Sequence, residues 1–190
     1  MLSCKSKSKN FYKNNQYWYH GTTLNAAKSI LKNGIDPLFA KKHLPSNTYD
    51  FGPAFYLTSN KSQAVRKSSL GLYNLDPAIV IINMKNILTG TGLGKEFPKM
   101  DKNWAQFVLN NRLGYKQFDS SEYVYGCLAD GSLTSAVAKY KENKDFASFK
   151  RSVYNKYYET RYDQLALISE NLCKQITVDR IKIVRCKYNG

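Results

Sequence analysis

Several residue types are scarce in this chain, and each scarcity argues against a class of protein. Among 190 residues there are only two histidines and four cysteines, and 14 acidic residues stand against 29 lysines and arginines. The cysteines form no Cys-x-x-Cys pair and have no histidine near them; they are Cys4, Cys127, Cys173 and Cys186. This scatter supports neither a zinc site nor a disulfide framework, and it favours a reduced, intracellular setting.

Long apolar runs are also missing. The longest, around Ala78–Ile82, has the length of a single strand. The first ten residues are mainly lysine, serine and asparagine and lack the apolar segment of a signal peptide. We therefore expect no membrane insertion.

Positive charge is what the chain has in excess. The formal net charge is +15, which predicts acidic partners such as nucleic acid, an anionic surface or a phosphate-bearing ligand. A second interpretation stays open at this point. Lysine, asparagine, isoleucine and tyrosine are all abundant, as expected of an AT-rich genome, and a lysine-rich solvated face needs no partner.

Length and composition predict one globular domain. A hydrophobic share of 43% over 190 residues is enough for a core. The polar segment 1–15, with its spaced lysines, is expected to form a basic flexible arm, and residues 16–190 a single domain.

Short strands alternate irregularly with helices along the chain, which favours the α+β class over regular βαβ units. The predicted strands are Tyr17–His20, Ala54–Thr58, Ala78–Asn83, Glu122–Leu128, Tyr162–Ile168 and Arg180–Cys186. The predicted helices are Asn25–Asn33, Asn60–Ser69, a helix from Asp101 to about Gly114, and Ser132–Glu159, with a break near Asn143. A loop is expected over Asp36–Asp50, which contains two prolines. In the Asn60 helix, Gln63 stands in capping-box register.

The segment Lys139–Arg161 admits two interpretations. Tyrosines among lysines are typical of a platform for nucleic acid. The same spacing suits an amphipathic helix with outward lysines, whose inner face would carry Phe146, Phe149, Val153 and Tyr157. Glycines at positions 90, 92 and 94 lack the Gly-Lys-Ser/Thr ending and the strand-to-helix context of a phosphate loop, so we give them no such role.

Two blocks carry the strongest functional signal. The first is the aromatic run that ends in His20-Gly21-Thr22, and the second is Asp50–Thr58, which contains Tyr56. The imidazole can donate to a hydroxyl, Gly21 lets backbone approach closely, and Thr22 adds a small polar group. Tyr56 lies beside a glycine turn and can offer its ring face to a flat cation. Together the blocks predict a dinucleotide site.

The ordered set of motifs resembles the ADP-ribosyltransferase superfamily. It comprises His-Gly-Thr, a helix ending in Asn-Gly-Ile, Asp-Phe-Gly-x-x-Phe-Tyr-Leu-Thr followed by Gln-Ala, Trp-Ala-Gln-Phe-Val, Tyr-Val-Tyr-Gly-Cys-Leu-Ala-Asp and Tyr162-Asp163-Gln164. These blocks cover most of the chain from Tyr17 to about Thr177. Within that superfamily the chain is similar to a bacterial toxin-like subfamily with a His-Tyr-Gln type NAD site.

The resemblance implies a split β-sheet core with flanking helices, NAD as the substrate and transfer of one ADP-ribose unit. The implied catalytic residues are His20, Tyr56 and Gln164. His20 would bind the adenosine ribose and Tyr56 would stack on the nicotinamide. The implied cofactor-binding residues are His20, Gly21, Thr22, Gly52, Phe55, Tyr56 and Gln164. The resemblance also implies a macromolecular acceptor, either protein or nucleic acid, a cognate antitoxin or immunity protein, and action in the cytoplasm or delivery into a target cell's cytoplasm.

Gln164 departs from the glutamate of better-known branches of the superfamily. An amide can orient a ribose but cannot provide the Coulombic stabilisation of a carboxylate, which favours transfer of a single unit over elongation of a polymer. Glu159 and Glu170 are the backup carboxylates, the first entering from the turn before Gln164 and the second capping a following turn. No metal is implied, because histidines and carboxylates do not cluster.

Structural interpretations of the same residues stay open. His20 could be a buried strand histidine, Tyr56 ordinary core and Gln164 an exposed strand residue. Asp130 and Arg112 could contact NAD phosphates or the target, or could be paired or on the surface. Functionally, the alternatives to a transferase are a catalytically weak module that binds NAD or nucleic acid, and an NAD glycohydrolase.

Overall fold

A computed structural model describes residues 15–43, 45, 48–69, 76–85, 87, 93–115, 120–129 and 132–184. Within these residues the chain forms seven strands and eight helices. The strands are β1 (Tyr17–Thr23), β2 (Phe55–Leu57), β3 (Pro77–Asn83), β4 (Gly94–Phe97), β5 (Tyr123–Cys127), β6 (Asp163–Leu167) and β7 (Val178–Ile183). The helices are α1 (Leu24–Asn33), α2 (Phe39–His43), α3 (Lys61–Ser69), α4 (Lys102–Arg112), α5 (Leu133–Asn143), α6 (Phe146–Val153), α7 (Lys156–Arg161) and α8 (Glu170–Lys174).

Side-chain caps fix where the helices near the candidate site begin. The Thr23 hydroxyl accepts from the Ala26 amide at the start of α1, and the Asp101 carboxylate accepts from the Trp104 amide at the start of α4. Asn60 does the same for α3 through the Gln63 amide. Each of these bonds satisfies a backbone N–H that has no partner within the helix. At the other end of α1, Gly34 has φ +84°, a conformation that glycine adopts without steric cost.

The strands form two sheets. One has three antiparallel strands in the order β1-β3-β7, and the other has four in the order β2-β6-β5-β4, in which only the β4–β5 pair is parallel. β3 is central in its sheet and six of its seven residues are buried, because its β-branched run is covered on both faces. The α+β class predicted from the sequence is confirmed.

A single backbone bridge joins the two sheets beside the candidate site. The Tyr19 amide donates to the Thr58 carbonyl at 2.9 Å, and the Thr58 amide donates to the Tyr19 carbonyl at 3.0 Å. The residues next to this bridge, His20 on β1 and Tyr56 on β2, are thereby held close to one another although they are far apart in the chain.

Three apolar clusters cover the faces of the sheets. The cluster between the two sheets contains Trp18, Val80, Ile82, Tyr125 and Leu165. The second cluster packs α4, α5 and α6 on the other face of the four-stranded sheet, around Trp104, Val108, Val124, Phe149 and Ala166. A small third cluster packs Ala64 of α3 on Ile79 and Ile81 of β3. The site described below lies where α3 and both sheets meet.

Most predicted elements are present, with shifts of one to three residues at their ends. The elements that were not predicted have only four or five residues each. Asp36–Asp50 was expected to be a loop but contains α2, and the sequence analysis missed β4 and α8. The helical segment expected from Ser132 breaks into three helices, not two. Local signals are weak in elements of four or five residues, so their formation depends on tertiary contacts.

The amphipathic interpretation of the segment after Lys139 is confirmed for α6, where Phe149 and Val153 are buried. It was wrong for Tyr157, which is 49% exposed on α7. The side chains of Cys127 and Cys173 are buried, as expected of small apolar residues. Gly94 begins β4 and packs against the Tyr123 ring, so it belongs to a strand and not to a phosphate loop.

Residues 1–14 of the basic arm, which include Cys4, lie outside the described residues, as do Asp130, Cys186 and the glycines at positions 90 and 92. In the part of the chain that the structure does describe, no helix has the length and apolar character needed to cross a bilayer.

Candidate functional site

A cavity of about 430 Å³ opens where β1, β2, β6, α3 and the end of α4 approach one another. Its lining includes all three residues of the expected triad, His20, Tyr56 and Gln164. Gly21 and Arg112 also line it, as do residues that the sequence analysis did not assign to the site: Tyr49, Asp50, Gln63, Arg66 and Lys67. The fold thus gathers the three predicted side chains at one place.

The His20 ring is oriented by two contacts. Its Nδ1 lies 2.8 Å from the Tyr56 carbonyl oxygen, and its ring stacks on Phe55 at a centroid distance of 4.4 Å. A carbonyl oxygen can only accept, so Nδ1 carries the proton. Burial lowers the pKa of His20, and the positive charge of Lys67 lowers it further. In the neutral ring, Nε2 is therefore an acceptor. The sequence predicts that the imidazole donates to a ligand hydroxyl, but the nitrogen that carries the proton is engaged with the Tyr56 carbonyl, and the nitrogen that remains for a ligand can only accept.

Tyr56 uses its hydroxyl to hold the preceding turn. The hydroxyl donates to the Gly52 carbonyl at 2.6 Å and accepts from the Phe51 amide at 3.0 Å. Gly52 has φ +85°, which this turn requires. The ring lies nearly parallel to that of Tyr49, with centroids 5.9 Å apart. Since the hydroxyl is engaged with the turn, the part of Tyr56 that can contact a ligand is its ring.

Gln164 is buried in β6, with 4% exposure, so the interpretation as an exposed strand residue was wrong. Its Nε2 donates to the Cys127 carbonyl at 3.3 Å. The Gln164 side chain also acts to lower the pKa of the Asp50 carboxyl. With Nε2 donating to the Cys127 carbonyl, the Gln164 amide can present Oε1 as an acceptor for a ligand hydroxyl.

Asp50 supplies a carboxylate to the cavity. Both Nε and Nη2 of Arg112 lie 2.7 Å from Asp50 Oδ1. The Asn111 side chain, also at the end of α4, donates to the Asp50 backbone carbonyl at 3.1 Å. Burial raises the pKa of Asp50 to about 6, although Arg112, Lys67 and Gln164 each act to lower it. Arg112 is thus paired, as one of the interpretations left open for it predicts, and it also lines the cavity.

The cavity is lined by more positive than negative charge. Arg66 and Lys67 come from the last turn of α3 and Arg112 from the last turn of α4, whereas Asp50 is the acidic residue of the lining. Lys67 acts electrostatically on both His20 and Asp50. Such a lining suits an anionic ligand that carries more than one negative charge.

Other residues expected at the site do not line the cavity. Thr22 lies further along β1, while Gly52 and Phe55 support Tyr56 and His20 from behind. Glu159 does not enter the cleft, because its Oε1 accepts from the Met100 amide at 2.7 Å. Glu170 sits in the first turn of α8, away from the lining. Neither backup carboxylate lines the cavity, and the carboxylate that does is Asp50, which had not been assigned to the site.

Asp163 anchors the strand that carries Gln164. Its carboxylate accepts from the Thr58 hydroxyl at 2.8 Å, the Ser59 amide at 2.9 Å and the Ser59 hydroxyl at 2.5 Å. Its backbone pairs with the side-chain amide of Gln63, whose Nε2 donates to the Asp163 carbonyl at 2.8 Å. The spacing of Gln63 from Asn60 predicts that its side chain closes a capping box. Instead, the Gln63 side chain binds the backbone of β6. These bonds tie β2, α3 and β6 together behind the cavity.

Replacing Asp163 by alanine is expected to lower the free energy of unfolding by about 3 kcal/mol, because buried hydroxyl and amide donors lose a charged acceptor. Chemical denaturation followed by circular dichroism measures the loss. Asp179→Ala is the matched control, since that carboxylate is paired with Arg180 at the surface and should change stability by less than about 1 kcal/mol. Equal effects of the two substitutions would contradict the role given to Asp163.

Among the described residues, no group of three or more histidine, cysteine, aspartate or glutamate side chains is placed to hold a metal ion. The chemistry that these residues can perform is binding through hydrogen bonds, ring stacking and charge, with one carboxylate of raised pKa.

Fold and site together define an α+β protein with a cation-lined cavity at the junction of two small sheets. The model of the DUF3990 family, described as proteins of unknown function, matches residues 38–178. The chain therefore belongs to the DUF3990 family. The matched range contains Tyr56 and Gln164, and His20 precedes it. No curated protein and no solved structure matched the chain.

Proposed function

We propose that the protein is a mono-ADP-ribosyltransferase of the toxin-like kind, which transfers ADP-ribose from NAD to a macromolecular acceptor. The observation that carries the proposal is that His20 and Tyr56 line one cavity together with Gln164, which follows them by more than a hundred residues in sequence. The two small sheets joined through Tyr19 and Thr58 agree with the split-sheet core expected of such an enzyme.

The atoms presented by the three residues suit the parts of NAD. Neutral His20 offers an acceptor to a ribose hydroxyl, and Gln164 Oε1 offers another. The Tyr56 ring provides an aromatic face for the positively charged nicotinamide, an arrangement that favours the cation electrostatically. Arg66 and Lys67 provide the positive charge that a diphosphate needs.

The proposed reaction breaks the bond between the nicotinamide nitrogen and ribose C1′. The bonding electrons return to the nicotinamide ring, and the sugar passes through a state that resembles an oxocarbenium ion. The enzyme then contributes mainly positioning and electrostatics, since little covalent chemistry is required of it. The acceptor is proposed to be an acidic or nucleic-acid-associated macromolecule, because the chain carries a net charge of +15. A toxin of this kind would be neutralised by a cognate antitoxin or immunity protein.

Incubation of the protein with adenylate-labelled NAD and whole-cell lysate tests the proposal. A transferase places label on macromolecules, which protease and nuclease digestion then assign to protein or nucleic acid. A glycohydrolase releases free ADP-ribose, and a binding module leaves NAD intact. Heat-inactivated protein serves as the control. Intact NAD in every lysate would overturn the proposal, and free ADP-ribose without labelled macromolecules would replace it by the hydrolase.

A further inference from the structure

Asp50 is a buried carboxylate in the cavity to which the proposed function assigns no role. It is 8% exposed and lies two residues before Gly52, in the turn that Tyr56 holds through its hydroxyl. Charged groups are rarely buried unless they are paired, and Asp50 is paired with Arg112. If the pair of Asp50 and Arg112 served only to fix the turn, neither residue would need to line a cavity. Both residues do line it.

The hydrogen bonds of Asp50 leave part of the carboxylate open. A carboxylate has about four acceptor positions. The Nε and Nη2 groups of Arg112 both donate to Oδ1. The carboxylate is thus oriented from the end of α4, with acceptor capacity remaining.

Gln164 cannot act as a base, because an amide does not take up a proton in this pH range. Glu159 is engaged with the Met100 amide outside the cavity. We propose that Asp50 is the general base of the reaction and takes the proton that the acceptor nucleophile loses. This inference rests on the proposed function and adds a residue to it.

In the proposed step, the acceptor attacks ribose C1′ as nicotinamide leaves. A lone pair of the acceptor O–H or N–H group forms a bond to ribose C1′ while the bond from C1′ to the nicotinamide nitrogen breaks. The electron pair of that bond returns to the nicotinamide ring, which leaves as neutral nicotinamide. The acceptor proton passes to the Asp50 carboxylate, and water removes it after the product departs.

The groups around Asp50 set the pH at which it can act. Arg112 on α4 and Lys67 on α3 stabilise its anion, as does the Gln164 amide on β6, while burial opposes them and brings its pKa to about 6. Tyr56 on β2 also faces it and stays neutral, since burial and the Asp50 charge raise the Tyr56 pKa. The other titratable or charged residues of the lining are Tyr19 and His20 on β1, Tyr49, and Arg66 on α3. A base must be deprotonated, so the rate should rise through about pH 6 and then level off.

The experiment measures initial rates of label transfer from NAD between about pH 5 and about pH 8.5, for the wild type and three variants. Asp50→Asn should lower the plateau rate about 100-fold or more and remove the rise near pH 6, with the KM for NAD within about threefold of wild type. Arg112→Gln should move the rise to higher pH, because the guanidinium that lowers the Asp50 pKa is gone. Asp36→Asn, which alters an exposed carboxylate paired with Lys42, should retain the wild-type rate and profile.

The inference would be overturned if Asp50→Asn kept the wild-type dependence of rate on pH. It would also be overturned if the rate of Arg112→Gln rose at the same pH as that of the wild type. If the melting transition shows that Asp50→Asn does not fold, the dependence of the Arg112→Gln rate on pH decides whether Asp50 is the base. An active wild type whose rate does not change through pH 6 would refute Asp50 alone and leave the proposed function standing. A wild type that neither consumes nor transfers NAD at any pH would overturn the proposed function and this inference with it.

Discussion

Replacement of Gly21 by alanine is expected to lower the free energy of unfolding by about 3 kcal/mol, a large effect for the addition of one methyl group. A Cβ at position 21 would overlap the Ala64 carbonyl oxygen and come within 2.9 Å of the Ser68 amide nitrogen. Both are backbone atoms of α3, which cannot move aside as a flexible side chain can. Denaturant unfolding followed by circular dichroism measures the change.

Gly34→Ala is the comparison for that experiment. A Cβ at position 34 meets nothing within 4 Å, but the residue has φ +84° and ψ −174°, a region essentially limited to glycine, so the cost is conformational and amounts to about 2 kcal/mol. If Gly21→Ala is the more stable of the two variants, α3 does not pack on β1 as closely as the structure shows. If Gly21→Ala folds by displacing α3, it should also weaken ligand binding, because α3 carries Arg66 and Lys67 into the cavity.

Replacement of His20 by alanine is expected to lower the proposed NAD-dependent transfer by about 100-fold or more, since it removes a ligand acceptor and the bond from Nδ1 to the Tyr56 carbonyl. Transfer of label from NAD measures the loss, and the melting temperature shows whether the variant is folded. The unfolded fraction at the assay temperature must be negligible for the comparison to count.

The chain provides its own control in His43. That histidine also places Nδ1 2.8 Å from a carbonyl oxygen, that of Phe39, and also stacks on a phenylalanine ring, at 4.1 Å. It differs in being exposed on α2, outside the cavity. His43→Ala should therefore leave transfer unchanged. A folded His20→Ala variant with the activity of His43→Ala would remove His20 from the site.

The elements predicted well from the sequence are those with strong local signals. β3 was evident from its run of β-branched residues, and α1 from its apolar spacing and the glycine that ends it. α2 and α8 have five residues each, too few for periodicity to be recognised. β4 was missed because it begins with a glycine, and its pairing partner β5 lies some thirty residues further along the chain.

The residues that line the cavity divide in a similar way. His20, Gly21, Tyr56 and Gln164 were predicted from motifs and all line the cavity. Asp50 stands in a motif that was noticed, but nothing in its neighbours signals burial beside Arg112. Arg66 and Lys67 were also missed, because lysines and arginines are common in this chain and their position relative to β1 depends on how α3 packs.

By itself, the sequence determined the α+β class, the large positive charge, the glycines at tight turns and the residue types available for a site. Those properties depend on composition and on patterns of a few neighbouring residues. Only the tertiary structure decided which carboxylate reaches the cavity, which nitrogen of His20 is left as an acceptor, and that Gln164 is buried. The reason is physical: pKa, protonation and hydrogen-bond direction depend on atoms within a few ångströms, and in this protein those atoms come from five elements that are far apart in the chain.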